Sequence, residues 1–147
     1  MEFKQLRSRT TLLIVSIAGA VLLTRLLLFL NPGAGGSTVL GVRVHHLLIG
    51  IVLVSIGGVS AVLLRSEAFL KSIAVCVFGA GLGLALDEWV LFVLRETAPD
   101  TPYLSTLSLA GALLFVILVC GYTVLVYQFV VRQQQRAEIR KVRPRSG

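Results

Sequence analysis

Long apolar stretches alternate with short polar connections along the chain. The apolar stretches cover Thr11–Leu30, Val44–Leu64, Ser72–Leu94 and Leu104–Val131. Each reaches the roughly 20 helical residues that cross a hydrocarbon layer of about 30 Å. Apolar residues run continuously within them, which disfavours the alternating strands of a membrane barrel. The pattern predicts an all-α polytopic membrane protein, an antiparallel bundle of four transmembrane helices.

Short connections place limits on the helix ends and on the order of packing. Asn31, Pro32 and Gly33 are expected to end the first helix, because the residue before a proline avoids the α region. Thr101 and Pro102 are typical of an N-cap and a first helical position, so they predict the start of the fourth helix. Short loops also predict that helices consecutive in sequence pack against each other.

The first span can be compared with a cleavable signal peptide. Lys4, Arg7 and Arg9 precede it as a basic segment would. Its apolar core is longer than the roughly 7–15 residues of a signal sequence. A retained anchor is therefore favoured, and a cut near Ala34 is the alternative. The whole of 1–147 is expected to form one transmembrane domain.

Composition places the chain in lipid. Of its 147 residues, 56% are hydrophobic and 14% are charged, whereas a soluble domain averages about half apolar and about a quarter charged. The mean hydropathy is +0.89. These values exclude a disordered chain and leave little room for a separate soluble domain.

Basic residues predict the orientation in the membrane. Eleven of the 14 Lys and Arg residues lie at the amino terminus, in the second connection or in the tail, which are on one side if there are four spans. By the positive-inside rule both termini face the cytoplasm, so the cytoplasmic membrane is the expected location. The net charge of +7 is thus largely a topological signal.

The tail at 132–147 carries six basic residues against Glu138. It lacks the aromatic residues and the fold of a nucleic-acid module, so no nucleic acid is expected as a partner. The favoured interpretation is a cytoplasmic segment that lies on anionic headgroups of the bilayer. A protein partner, or a second copy of the chain in a homo-oligomer, is the alternative.

Small residues predict where the helices approach each other, because lipid provides no hydrophobic drive for their association. Gly79 and Gly83 form a small-xxx-small pair, and the next step of four residues reaches Asp87. On the second span His46 stands four residues before Gly50. Polar side chains therefore share faces with small residues.

Five ionisable side chains form the candidate site. They share the outer half of the spans and are Arg25, His45, His46, Asp87 and Glu88. A charge at membrane depth costs at least about 2.5–3.5 kcal/mol, so these groups are expected to face inward. His46 and Asp87 are predicted to be the central pair, with Arg25 paired to Asp87 or Glu88. Glu88, on the side of Gly81 and Ala85, is expected to reach a neighbouring helix or Arg25.

Three interpretations of this outward-facing pocket remain open. The cluster fixes helix packing by salt bridges; or His46, Asp87 and Glu88 bind a divalent metal ion such as zinc, manganese or iron; or the pocket responds to protons or ions, since histidine titrates near neutral pH. The adjacent histidines lack the spacing that directs both at one ion. The leading hypothesis is a non-enzymatic protein that binds an ion, metal or small polar ligand there. The alternative is a structural or interaction subunit.

An enzyme is the less favoured class, because the chain has only two histidines and a catalytic metal site normally has three protein ligands. Ser105 and Ser108 lack a nucleophile elbow, and their ordinary role is helix capping and interhelical hydrogen bonding. Cys76 and Cys120 lack the spacing of a redox pair, so they are expected to be buried small hydrophobes.

Two segments carry a resemblance to a known group. The segment at 44–50 reads VHHLLIG and the one at 79–89 reads GAGLGLALDEW. They resemble a group of small bacterial four-helix integral membrane proteins with a His-His pair opening one helix and a glycine-rich Leu-Asp-Glu-aromatic run in the next. The resemblance implies the architecture, and it implies that His45, His46, Asp87 and Glu88 belong to one motif. It implies no activity.

Overall fold

The described part of the chain folds into four long helices and one short hairpin. A computed structural model describes residues 2–31, 37–39, 42–44, 46–64, 68–97 and 105–142. The elements in chain order are α1 (Glu2–Leu30), β1 (Ser37–Val39), β2 (Val42–Val44), α2 (His46–Leu63), α3 (Ala68–Thr97) and α4 (Thr106–Val142). All four helices are long and apolar enough to cross a membrane. The predicted all-α, multi-pass membrane architecture is confirmed.

The connection between α1 and α2 holds an element that the hydrophobic pattern did not predict. Strands β1 and β2 pair antiparallel, with Ser37 opposite Val44 and Val39 opposite Val42. Val44 therefore belongs to a strand, and the second span begins at His46 instead. The first helix ends at Leu30 as expected, and the Asn31 N–H still bonds to the carbonyl of Leu27 at 2.9 Å.

The start of α4 corrects the predicted N-cap. Helix α4 begins at Thr106, and the Ser108 N–H donates to Ser105 Oγ at 3.2 Å. This is the N-cap geometry, in which a side-chain oxygen accepts from the third helical residue. Thr101 and Pro102, where the start was expected, lie outside the described residues. The sequence offers two good capping positions, and only the geometry distinguishes them.

Helix α3 is the centre of the bundle and packs against the other three helices. Its contact with α1 follows one glycine face. A Cβ added at Gly79 would lie 2.8 Å from Ser16 Cβ, and one added at Gly83 would lie 2.9 Å from Ala20 Cβ. Because residue numbers rise together on the two helices, α1 and α3 run parallel. The expectation that consecutive helices pack together is therefore wrong for α1 and α2, because α1 packs on α3 and α4 instead. The 15 residues at 31–45 between α1 and α2 are not a short connection.

Helix α2 packs on a second face of α3, and here the two helices run antiparallel. A Cβ at Gly50 would lie 2.7 Å from the Gly81 carbonyl oxygen, and one at Gly81 would lie 2.6 Å from the Val54 nitrogen. About two turns beyond Gly50 on α2, Gly57 lies against Phe78 of α3 in the same way. Backbone thus meets backbone, which is the close approach that small residues allow in lipid.

Candidate functional site

A buried ion pair joins α1 to α3 near the end of the bundle where α1 finishes and α2 begins, here called the hairpin end. Arg25 Nε donates to Asp87 Oδ1 at 2.6 Å. The Asp87 side chain is 1% exposed and that of Arg25 10%. Asp87 occupies the position one helical step of four beyond Gly83, on the face that meets α1. Because Asp87 shares a helix face with Gly79 and Gly83, its carboxylate lies against α1, where Arg25 is located.

Ser108 extends this pair to α4. The second guanidinium nitrogen Nη2 of Arg25 lies 3.1 Å from Ser108 Oγ and 3.4 Å from the Ser108 carbonyl oxygen. Ser108 is fully buried, and the Ser105 cap holds its backbone at the first turn of α4. Here the predicted ordinary role of both serines, capping and interhelical hydrogen bonding, is confirmed. One arginine from α1 thus contacts both α3 and α4.

Glu88 connects α3 to the remaining helix. Its Oε2 accepts a hydrogen bond from the Leu47 N–H at 2.5 Å. Leu47 is the second residue of α2, so this N–H has no partner within its own helix. A carboxylate at this position also faces the positive end of the helix dipole. Glu88 therefore acts as an N-cap supplied by another helix, and the prediction that it reaches a neighbouring helix is confirmed.

Asp87 and Glu88 divide their roles because they are neighbours on a helix. Adjacent residues point about 100° apart. One carboxylate therefore follows the Gly79 and Gly83 face to α1, and the other follows the Gly81 face to α2. Together they link the central helix to α1 and to α2, and Arg25 carries the contact on to α4 through Ser108.

The expected meeting of His46 and Asp87 is not what the structure contains. His46 is half-buried at the first position of α2. Its imidazole makes no hydrogen bond or ion pair with any other part of the chain that the structure describes. The residue of α3 that bonds to the start of α2 is Glu88, whereas Asp87 bonds to α1. Asp87 does share a helix face with Gly83, as expected, but that face packs against α1 and not against α2. His45 lies outside the described residues.

The suggested metal ligands do not converge. Asp87 binds Arg25 and Glu88 binds the backbone of α2. Among the residues that the structure describes, no three His, Cys, Asp or Glu side chains form a group suited to a metal ion. His46, Asp87 and Glu88 therefore do not fit a zinc, manganese or iron centre in this arrangement, and no step of chemistry is assigned to one.

The backbone N–H of Leu47 is a partner of the site that was not predicted from the sequence. A backbone donor leaves no mark in a sequence. An indirect signal was available, because the residues at 44–46 include no Ser, Thr, Asp or Asn to cap α2. A helix that lacks a local cap must find its acceptor elsewhere, and Glu88 has the matching chemistry.

The two cysteines are partly buried and free. They lie on α3 and α4 as the sequence indicated, and they take no part in the hydrogen bonds described above. Comparison of the chain with protein-family models, with curated proteins and with solved structures finds no match.

Proposed function

We propose that the chain is a non-enzymatic structural or interaction subunit of a membrane complex, in which the polar cluster fixes the helices. The observation that supports this best is the buried contact of Arg25 with Asp87 and Ser108. In it the positive charge of Arg25 is paired with the negative charge of Asp87. A ligand that engaged Arg25 Nε, Arg25 Nη2 or Asp87 Oδ1 would compete with one of these three contacts. Their chemistry is thus committed to holding α1, α3 and α4 together.

The energetics of buried ion pairs provide a test of this role. Removal of one partner leaves the other charge buried and alone, which costs about 3–5 kcal/mol, whereas replacement of both by apolar residues of similar volume is often neutral. For a purely structural cluster, Asp87→Asn should destabilise the purified protein strongly. The double variant Arg25→Met/Asp87→Leu should recover most of that loss and should retain any partner that copurifies with the wild type.

The outcome that contradicts a structural role is equally specific. If the double variant is as stable as the wild type but loses a copurifying partner, a bound ion or a cellular phenotype, then the charges serve binding rather than packing. Lys4→Gln offers a control, since it removes an exposed charge from the opposite end of α1, away from the Arg25, Asp87 and Ser108 contact.

Binding of an ion or small polar ligand is the second candidate, and His46 is the observation in its favour. This half-buried imidazole stands beside the turn of α2 that Glu88 caps. A ligand there would contact His46 without breaking the Arg25 pair. Metal content and ligand retention of His46→Ala, measured against the wild type, test this proposal. An unchanged result contradicts it.

We also propose the cytoplasmic membrane of a bacterium as the location, with both termini in the cytoplasm. The excess of basic residues at the two termini supports this orientation. Helix α4 continues through Arg132 and Arg136 as far as Val142. With 37 residues it is about 55 Å long, more than the hydrocarbon layer requires. Its basic end is therefore available to anionic headgroups, to a protein partner or to a second copy.

A further inference from the structure

A groove of about 420 Å³ lies between α1, α3 and α4. It occupies the half of the bundle that holds both chain termini, away from the hairpin end. Leu6 and Leu13 of α1 form one wall, Phe78 of α3 forms part of the base, and Val126 and Val130 of α4 form the other wall. The groove exists because α4 is held to its neighbours near Ser108 and Ala112, the buried residues of its first two turns.

The walls of the groove are apolar even where threonines line it. Thr10 Oγ1 donates to the Leu6 carbonyl at 3.0 Å, and Thr123 Oγ1 donates to the Val119 carbonyl at 2.8 Å. Both hydroxyls are thus satisfied by their own helices. Water needs two to four polar partners to remain in a cavity, so the groove is suited to a hydrocarbon occupant.

The groove matches one leaflet of a bilayer in length. On α4 its lining runs from Val119 to Val130, which is about 16 Å at the helical rise. One half of the hydrocarbon layer is about 15 Å thick. The groove therefore runs from the termini side of the membrane to its middle, along the path of an acyl chain.

The size of the lining side chains argues against another helix as the occupant. Where helices of this chain meet closely, they do so through residues such as Gly50, Gly81 and Gly83. The groove is lined instead by large side chains that include Phe78, Leu82 and Tyr127. Two helix backbones cannot approach closely across such residues, whereas a flexible chain can follow their contour.

Charge at the mouth of the groove indicates the headgroup. Exposed Lys4 and Arg7 lie beside Leu6, within one turn of the α1 wall, and exposed Arg132 and Arg136 follow Val130 on α4. In the sequence, the acidic residues at these helix ends are Glu2 and Glu138, against three basic residues at 4–9 and four at 132–141. Basic clusters between transmembrane helices attract anionic lipid headgroups.

We propose that this groove, here called the α1–α4 groove, binds one acyl chain of an anionic phospholipid from the leaflet on the termini side. The phosphate lies among the basic residues at the two helix ends. The bound lipid fills the space between α1 and α4 and so supports the half of α4 that the protein itself packs least.

Native mass spectrometry of delipidated protein tests the proposal, with phosphatidylglycerol and phosphatidylcholine as probes. When the lipids are added back, the wild type should bind one molecule of phosphatidylglycerol, and it should bind it more tightly than phosphatidylcholine. Val126→Trp fills the groove, and it should weaken retention by about tenfold or more. Leu125→Trp is the matched control. Leu125 is next to Val126 in the sequence, but its side chain is 66% exposed and does not line the groove.

Two further variants make the outcome decisive. Leu13→Trp blocks the groove from the opposite wall and should act like Val126→Trp, provided that both retain wild-type helicity and elute as single species. Lys4→Gln/Arg7→Gln should abolish the preference for phosphatidylglycerol. Equal lipid retention by Val126→Trp, Leu125→Trp and the wild type overturns the proposal. So does a dimer of the wild-type protein, free of lipid, that Val126→Trp and Leu13→Trp dissociate.

Discussion

At the scale of single residues, the charged groups inside the bundle fix how the helices are oriented. Ionised groups inside a membrane are expensive unless they face one another. Asp87 and Glu88 meet this demand in two different ways, one with a guanidinium and one with the free N–H of a helix start. Because they point in different directions, they limit how α3 can rotate relative to α1 and α2.

Substitution of Glu88 separates the two contributions of its cap. Glu88→Ala leaves the Leu47 N–H without an acceptor, and we expect a loss of about 1–3 kcal/mol in unfolding free energy. Glu88→Gln keeps an amide oxygen and loses only the charge facing the helix dipole, which is worth about 0.3–1 kcal/mol. Denaturation in mixed micelles measures both. Equal losses for the two variants would show that the hydrogen bond contributes little.

The sequence predicts part of this site because charge and depth are visible in it. The pairing of Arg25 with a carboxylate follows from their shared depth, but the sequence left Asp87 and Glu88 both open as the partner, and the structure selects Asp87. The contact of His46 with Asp87 was expected because both residues extend a small-residue face. It fails because those faces belong to different seams, and one sequence does not reveal which seam each helix joins.

At the scale of elements, α3 uses two separate glycine faces to hold two neighbours. Gly79 and Gly83 face α1, while Gly81 faces α2. The hydrophobic pattern predicts that the helices exist but places their ends less well. Val44 is part of an apolar run in the sequence, yet it pairs with Ser37 in a hairpin. Strand pairing satisfies backbone hydrogen-bonding groups, and a local pattern of apolar side chains does not show where such pairing occurs.

Adjacent glycines on α2 offer a matched pair of substitutions. A Cβ at Gly57 would meet the Phe78 backbone of α3, whereas one at Gly58 would lie 3.5 Å from the Phe78 ring, at ordinary contact distance. We expect Gly57→Ala to force α2 and α3 apart and to lower the unfolding temperature. Gly58→Ala should be neutral or stabilising by up to about 1 kcal/mol, since alanine is the better helix former.

Thermal unfolding in detergent compares these two variants directly. The same helix and the same chemical change are involved in both, so intrinsic propensity cancels. If Gly57→Ala is no less stable than Gly58→Ala, then α2 does not pack on α3 through the face described.

At the scale of the whole molecule, polar and basic groups are segregated along the membrane normal. The Arg25, Asp87 and Glu88 contacts lie near the hairpin end, and the basic residues of α1 and α4 lie at the other. Packing follows the same division. α4 is buried at Ser108 and Ala112 but open along the groove near the termini.

Cysteine labelling in intact cells tests the proposed orientation. In a background where Cys76 and Cys120 are replaced by alanine, Thr101→Cys should react with a membrane-impermeant maleimide and Ser146→Cys should not. Permeabilised cells should label both positions. The reverse pattern in intact cells would place the termini outside and contradict the positive-inside assignment.

Arg25 and Asp87 hold the bundle together as a pair, and a double-mutant cycle measures the energy of that pair. The unfolding free energies of wild type, Arg25→Met, Asp87→Leu and the double variant define their coupling. We predict two strongly destabilised single variants, a double variant close to the wild type, and a coupling energy of about 2 kcal/mol or more. Single effects that add to within about 0.5 kcal/mol would contradict the account.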